Sequence, residues 1–130
     1  MINYRQLLKE VLMPDEMREA MYGLLIAGDK DREMILSGEK TVSIRTGFRR
    51  YKPDTTIMLG CHWKSWAVLA TVTKVRYCIL KDVTPEEVRK EGFGNLNELF
   101  SDLKQYYSDI NWESQVTVIE WADVQGTLVE

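Results

Sequence analysis

In the stretch SGEKTVSIR, residues 37–45, a glycine is followed by a lysine, a serine three positions later and an arginine two beyond that. A neutral lysine amine can take the proton of a nearby hydroxyl and turn it into a nucleophile, a serine–lysine pair in place of serine–histidine. Lysine starts from a pKa near ~10.4, so it must be desolvated or set among other cations before it accepts a proton near neutral pH. Lys40 meets the second condition in sequence, with Arg45, Arg49, Arg50 and Lys52 close behind it. The same residues also read as an exposed lysine after a turn and a hydroxyl on a strand face. On the residues alone that ordinary reading leads, because perturbed lysines are uncommon.

Other residues add to the chemistry on offer. Glu91 stands at the end of a helical pattern, just before Gly92, where the macrodipole disfavours a carboxylate unless Arg89 and Lys90 neutralise it. Phe48 and Tyr51 sit among Arg49, Arg50 and Lys52, and Trp63 and Trp66 flank Lys64. Aromatic rings interleaved with cations suit unpaired bases, which stack while lysine and arginine hold phosphates; the tryptophans also suit the ends of a sheet. The glycine-rich phosphate loops GxxxxGK[ST] and GxGxxG, the CxxC pair and paired histidines are all missing from the sequence. Nucleotide-triphosphate and structural-zinc chemistry are therefore not expected, and neither a metal nor a cofactor is implied. His62 is the single histidine, so a Ser-His-acid triad has one candidate base, at what reads as a solvated hairpin tip.

Charge sharpens the picture. The net charge is -3, yet between residues 40 and 81 nine Lys or Arg face Asp54 alone. An acidic chain with one basic third is what a phosphate-binding groove looks like in a protein otherwise kept soluble by negative charge, although solvated strand faces also carry such residues. At 130 residues the chain has the length of one domain. Cys61 and Cys78 show no close pairing, which favours a reduced, cytoplasmic setting. The apolar runs 24–27 and 66–70 are far too short to span a membrane, which requires roughly 18 residues.

Elements must place these residues. Tyr4, Leu7, Leu8, Val11 and Leu12 form one apolar helical stripe, and the pattern resumes after Pro14, so residues 1–23 read as a helical extension. Residues 24–28 suit a short buried strand, and Asp29 a helix cap. Gly38 then ends that helix and residues 41–46 alternate, with Val42 and Ile44 on one face and Thr41, Ser43 and Arg45 on the other. Lys40 has the parity of Val42, which is an objection to the serine–lysine pair unless the pleat is not yet established so near the turn. Further strands are expected at 55–61, 66–80 and 116–124, with a hairpin tip at 62–65 and a basic loop at 47–54. Thr84, Pro85 and Glu87 announce a capped helix that Gly92 ends, and Asn95 with Glu98 opens another with the stripe Leu96, Leu99, Phe100, Leu103 and Tyr107. The sum is an α+β unit with helices against a curved, mostly antiparallel sheet.

At this point ILSGEKTVSIR resembles the GxKxxxxR signature of the ASCH domain, a member of the PUA-like superfamily, and KEGFGNLNELFSDLKQYY and VTVIEW resemble its later segments in the same order. The resemblance covers roughly residues 24–124, sets an ASCH domain at 24–126 after the extension, and implies a small PUA-like β-barrel with helices packed around it. Within that family the chain looks most like the compact bacterial amidohydrolases that remove the acetyl group from N(4)-acetylcytidine. By position, the resemblance then implies Lys40, Ser43 and Glu91 as catalytic residues, with serine where the family has threonine and a one-residue gap before Glu91. Arg45, Arg49, Arg50, Tyr51, Lys52, Trp63 and Lys64 are the expected contacts to substrate or RNA. Other ASCH proteins are linked to RNA binding or RNA cleavage, so the alternatives are a non-catalytic RNA-binding module and, ranked last for want of a histidine pair, a ribonuclease. The expected partner is a modified nucleoside or single-stranded RNA, and the expected state a monomer or weak homodimer.

Overall fold

The computed structural model describes residues 22–25, 29–60, 67–125 and 127–129. Residues 1–21 of the expected helical extension, the hairpin tip with His62, and the site candidates Trp63 and Lys64 lie outside the described residues, and the last two residues of that extension, Tyr22 and Gly23, are strand and not helix. Six strands are described: β1 (Tyr22–Leu25), β2 (Val42–Thr46), β3 (Thr56–Gly60), β4 (Ala67–Ile79), β5 (Gln115–Ala122) and β6 (Thr127–Val129). Between them run helices α1 (Asp29–Ser37), α2 (Pro85–Glu91) and α3 (Leu96–Tyr106). The short first strand lies two residues earlier than residues 24–28 suggest, and it pairs with β3 in parallel. Every other pairing is antiparallel. The strand path is β1-β3-β4-β5-β2, with β6 on β4, so among the described residues the sheet is an open half-barrel whose ends, β1 and β2, do not meet.

β4 is the spine. Its first half pairs β3 and its second half pairs β5, with the register shifting between Val72 and Lys74. Such a bulge bends a strand and increases its twist, which lets one long strand serve two partners. Alternation along the strands then gives each face its own core. On one face Ile57, Leu59, Val68, Ala70, Val72, Ile119 and Trp121 close on Ile35 of α1. On the other, Val42, Ile44, Val116 and Val118 meet Val88 of α2 and Leu99 and Leu103 of α3. β5 shows the division within one strand, sending Val118 to the helices and Ile119 to the opposite core. Full burial of side chains of this size contributes about 1.5–3 kcal/mol each. β5 stops at Asp123, which takes the left-handed conformation at φ 55°.

The helix punctuation follows the sequence closely. Thr84 Oγ1 accepts from Glu87 N at 3.1 Å while Glu87 Oε1 accepts from Thr84 N at 2.9 Å. Glu87 also takes both Arg76 nitrogens, Nε at 2.8 Å and Nη2 at 2.5 Å, which ties α2 to β4. Asn95 Oδ1 accepts from Glu98 N at 2.9 Å and starts α3. Gly92 ends α2 at φ 109°, and a Cβ placed there would lie 2.9 Å from Met34 Cε.

Burial alone would raise the Glu87 pKa, but the bonds from Arg76 and Thr84 outweigh it and hold the carboxyl below its ordinary value of 4.5. A lowered carboxyl stabilises the fold above the unfolded value and loses that contribution as pH falls through the folded one. Glu87→Gln is expected to destabilise by about 1–2 kcal/mol near neutral pH, with the gap to the parent narrowing as pH falls below 4.5 in urea titrations. Gly92→Ala is expected to cost about 1–3 kcal/mol in the same measurement, because an L side chain is strained at that φ and meets Met34.

Candidate functional site

Among the described residues β2 has β5 on one side and no strand on the other. A strand edge carries backbone N–H groups that need partners, and here the end of α2 supplies them. Thr41 N donates to Lys90 O at 3.0 Å, and Ile44 N donates to Glu91 Oε2 at 2.6 Å. Lys40 completes the junction: its Nζ donates to the Glu91 main-chain oxygen at 2.8 Å and to Glu91 Oε1. All three oxygens of Glu91 are thus taken by Lys40 and by Ile44 of β2. The side chains are 4% and 11% exposed, so this is a buried ion pair. It also resolves the misplaced charge at the helix end, since the ammonium satisfies both the carboxylate and a carbonyl that the helix leaves open.

The parity objection is answered by the same geometry. Lys40 follows Gly38, at φ 86°, and its N–H donates back to Met34 O at 3.0 Å, so it lies before the regular pleat of β2. Ser43 is 3% exposed and pairs across the sheet with Ile119, which puts it on the face opposite Val42 and Ile44. Among the described residues no hydrogen bond joins Ser43 Oγ to Lys40 Nζ. The structure therefore brings Lys40 and Glu91 together, and sets Ser43 on the same strand outside that contact.

Electrostatics widen the site beyond the motif. Burial pushes the Glu91 carboxyl above its ordinary range, against the pull of Lys40, Arg45 and the Ile44 N–H. Burial also raises Asp31 of α1 and Asp102 of α3, and Lys40 is the strongest opposing charge for each. Lys40 is thus within range of three carboxylates, from α1, α2 and α3. Asp31 and Asp102 were not among the sequence candidates. The available signal is at Asp102, three residues after Leu99 and one before Leu103, a carboxylate on the flank of an apolar stripe. A shallow depression of about 480 Å³ opens beside Asp102, between Phe93, Asn95 and Ser101. Among the described residues no group of three or more His, Cys, Asp or Glu is placed to hold a metal ion.

The remaining candidates follow β2 into the basic loop. Arg45 is half-buried across from Thr117, and its charge reaches both Asp31 and Glu91. Tyr51 is half-buried against the first core; burial raises its hydroxyl pKa while Arg45 and Arg49 pull it down. Arg49, Arg50 and Lys52 are exposed.

Removing one partner of a buried pair leaves an uncompensated charge and typically costs 3–5 kcal/mol, whereas replacing both with apolar groups is often close to neutral. Lys40→Met is therefore expected to lose about 3–5 kcal/mol, and Lys40→Met with Glu91→Leu to regain most of it. A raised carboxyl favours the fold below its unfolded value and costs stability as pH rises through its folded value. The Lys40→Met variant should accordingly weaken relative to the parent as pH climbs above 4.5, checked by denaturant unfolding across pH.

No protein-family model matches the sequence, and no curated protein matches it. Solved structures do. An ASCH protein from Zymomonas mobilis superposes with a TM-score of 0.62 at 15% identity, covering 80% of this chain and 68% of that one. An ASCH domain from Lactobacillus crispatus JV V101 gives 0.58 at 14% identity, over 98% and 92% of the two chains. Protein EF3133 from Enterococcus faecalis V583, assigned to DUF984, gives 0.59 at 14% identity, over 94% and 91%. At such identities the likeness speaks for architecture: the half-barrel sheet and its helices together make the ASCH-domain fold.

Proposed function

We propose that the protein hydrolyses the N-acyl group of an acylated pyrimidine nucleoside, with N(4)-acetylcytidine as the reference substrate. The observation that carries this reading is the buried Lys40–Glu91 pair at the edge of the strand that also holds Ser43 and Arg45. Burial raises the hold of the Glu91 carboxyl on a proton, and once the ammonium has passed its proton to that carboxylate the amine can act as a base. The neutral amine takes the Ser43 proton as Ser43 Oγ bonds to the acetyl carbon. Arg45 holds the oxyanion that forms. Collapse breaks the carbon–nitrogen bond, the released amine takes a proton from the Lys40–Glu91 pair, and water then frees acetate from Ser43. Substrate must draw Ser43 and Lys40 into contact, which is common for catalytic hydrogen bonds that tighten only in the complex.

Purified protein is expected to release cytidine from N(4)-acetylcytidine. Ser43→Ala and Glu91→Gln should lower kcat/KM by about 10²–10⁴-fold, and Ser43→Thr should keep most of it, since a hydroxyl remains. Lack of turnover by the parent protein, or undiminished turnover in both Lys40→Ala and Ser43→Ala, would reject the mechanism.

A further inference from the structure

We propose that Phe48 and Tyr77 form a stacking platform for an unpaired base of a nucleic-acid single strand, with Arg49, Arg50 and Lys52 as its phosphate contacts. Phe48 is 72% exposed and Tyr77 44%, the two rings lying 5.5 Å apart between centroids and tilted by 45°. Isolated exposed apolar residues are ordinary on protein surfaces, but these two are adjacent and aromatic, and exposed Arg49, Arg50 and Lys52 follow Phe48 in the same loop. They are also held in place. Thr117, fully buried, donates to Gly47 O at 2.6 Å and accepts from Arg49 N at 2.9 Å. Gly47 N donates to Gln115 O at 2.8 Å, and Tyr77 Oη donates to Arg49 O at 2.8 Å. A loop bonded at so many points keeps Phe48 in the solvent without burying it. Such a surface has little conformational freedom to lose when a flat ring settles on it.

Charge selects the occupant. Arg49, Arg50 and Lys52 are exposed within four positions of Phe48, and the only acid between residues 40 and 81 is Asp54. A polyanion with flat faces matches both features, and single strands are bound in this way, by stacking on aromatics along a basic track. The sheet register gives the strand a direction. Tyr77, Thr117 and Arg45 face one another across β4, β5 and β2, so Arg45 lies about 10 Å from Tyr77, and Ser43 about 7 Å further along β2. Neighbouring nucleotides span such distances. The platform itself is independent of the deacylation reading; the idea that it delivers an acylated residue within a strand to Lys40 and Ser43 rests on it.

The test is anisotropy titration of a labelled, unmodified oligocytidylate of about ten nucleotides with the full chain over a range of salt. The parent protein is expected to bind with salt-dependent affinity, log K falling with log salt by about 0.7 per phosphate contact. Phe48→Ala and Tyr77→Ala should each weaken binding by about tenfold or more while leaving the salt slope in place. Tyr77→Phe, which keeps the ring, should retain binding, and Arg49→Glu with Arg50→Glu should flatten the slope. Both aromatic sites are exposed, so circular dichroism should show the parent fold. An affinity unchanged in Phe48→Ala and Tyr77→Ala, or a loss of affinity for base-free heparin in those variants as large as the loss for the oligonucleotide, would overturn the platform. Because the probe carries no acyl group, strand binding without deacetylation would leave the platform standing and remove the enzyme reading. Turnover of free N(4)-acetylcytidine without strand binding would do the reverse.

Discussion

A buried salt bridge between Lys40 and Glu91 holds the helical layer to the sheet at the point where the sheet ends. Among the described residues β2 has no second strand neighbour, and the last turn of α2 gives the N–H groups along that edge a main-chain carbonyl and a carboxylate. That carboxylate is tolerable beside a helix C-terminus only because the ammonium from the strand reaches it. The contact lies beside the core where Val42 and Ile44 of β2 meet Val88 of α2.

One pair of charges can serve both architecture and chemistry, and the two uses impose the same physical requirement. Exclusion of water strengthens the attraction between the two charges, and the same burial pushes the Glu91 carboxyl above its ordinary range. Asp31 and Asp102 extend the idea, since neither belongs to the motif and both couple to Lys40 through the field rather than through a hydrogen bond. A variant that removes Lys40 therefore disturbs three carboxylates together. Separating structure from activity calls for substitutions at Ser43, which stands apart from the pair.

Much of the fold was legible because it rests on local rules. The Thr84–Glu87 box, the Asn95 cap, the left-handed Gly38 and Gly92, and the alternation in β2 and β5 are each decided by a few neighbouring residues. The ASCH-domain architecture was visible in motifs whose order matched. Harder to read were the edges of elements and the parallel pairing of β1, because strand partners are chosen by tertiary contacts. The site was legible in part. Lys40 and Glu91 stood out, one by its motif and one by breaking a helix rule, whereas Asp31 and Asp102 came into view only once the fold brought α1 and α3 within the field of Lys40. The direct Lys40–Ser43 bond suggested by their spacing does not form here, since the lysine points along the edge while the serine faces the opposite core.

The bond from Ile44 N to Glu91 Oε2 has a bearing on how copies of the chain meet one another. An uncovered strand edge invites pairing with another polypeptide, and proteins commonly blunt such edges with charge. Here a carboxylate already occupies a donor in the middle of β2, and a lysine fills the space beside it. A second chain adding a strand along β2 would have to displace a charged hydrogen bond and expose an ion pair. The arrangement that gathers the candidate site is thus also a guard against edge-to-edge aggregation.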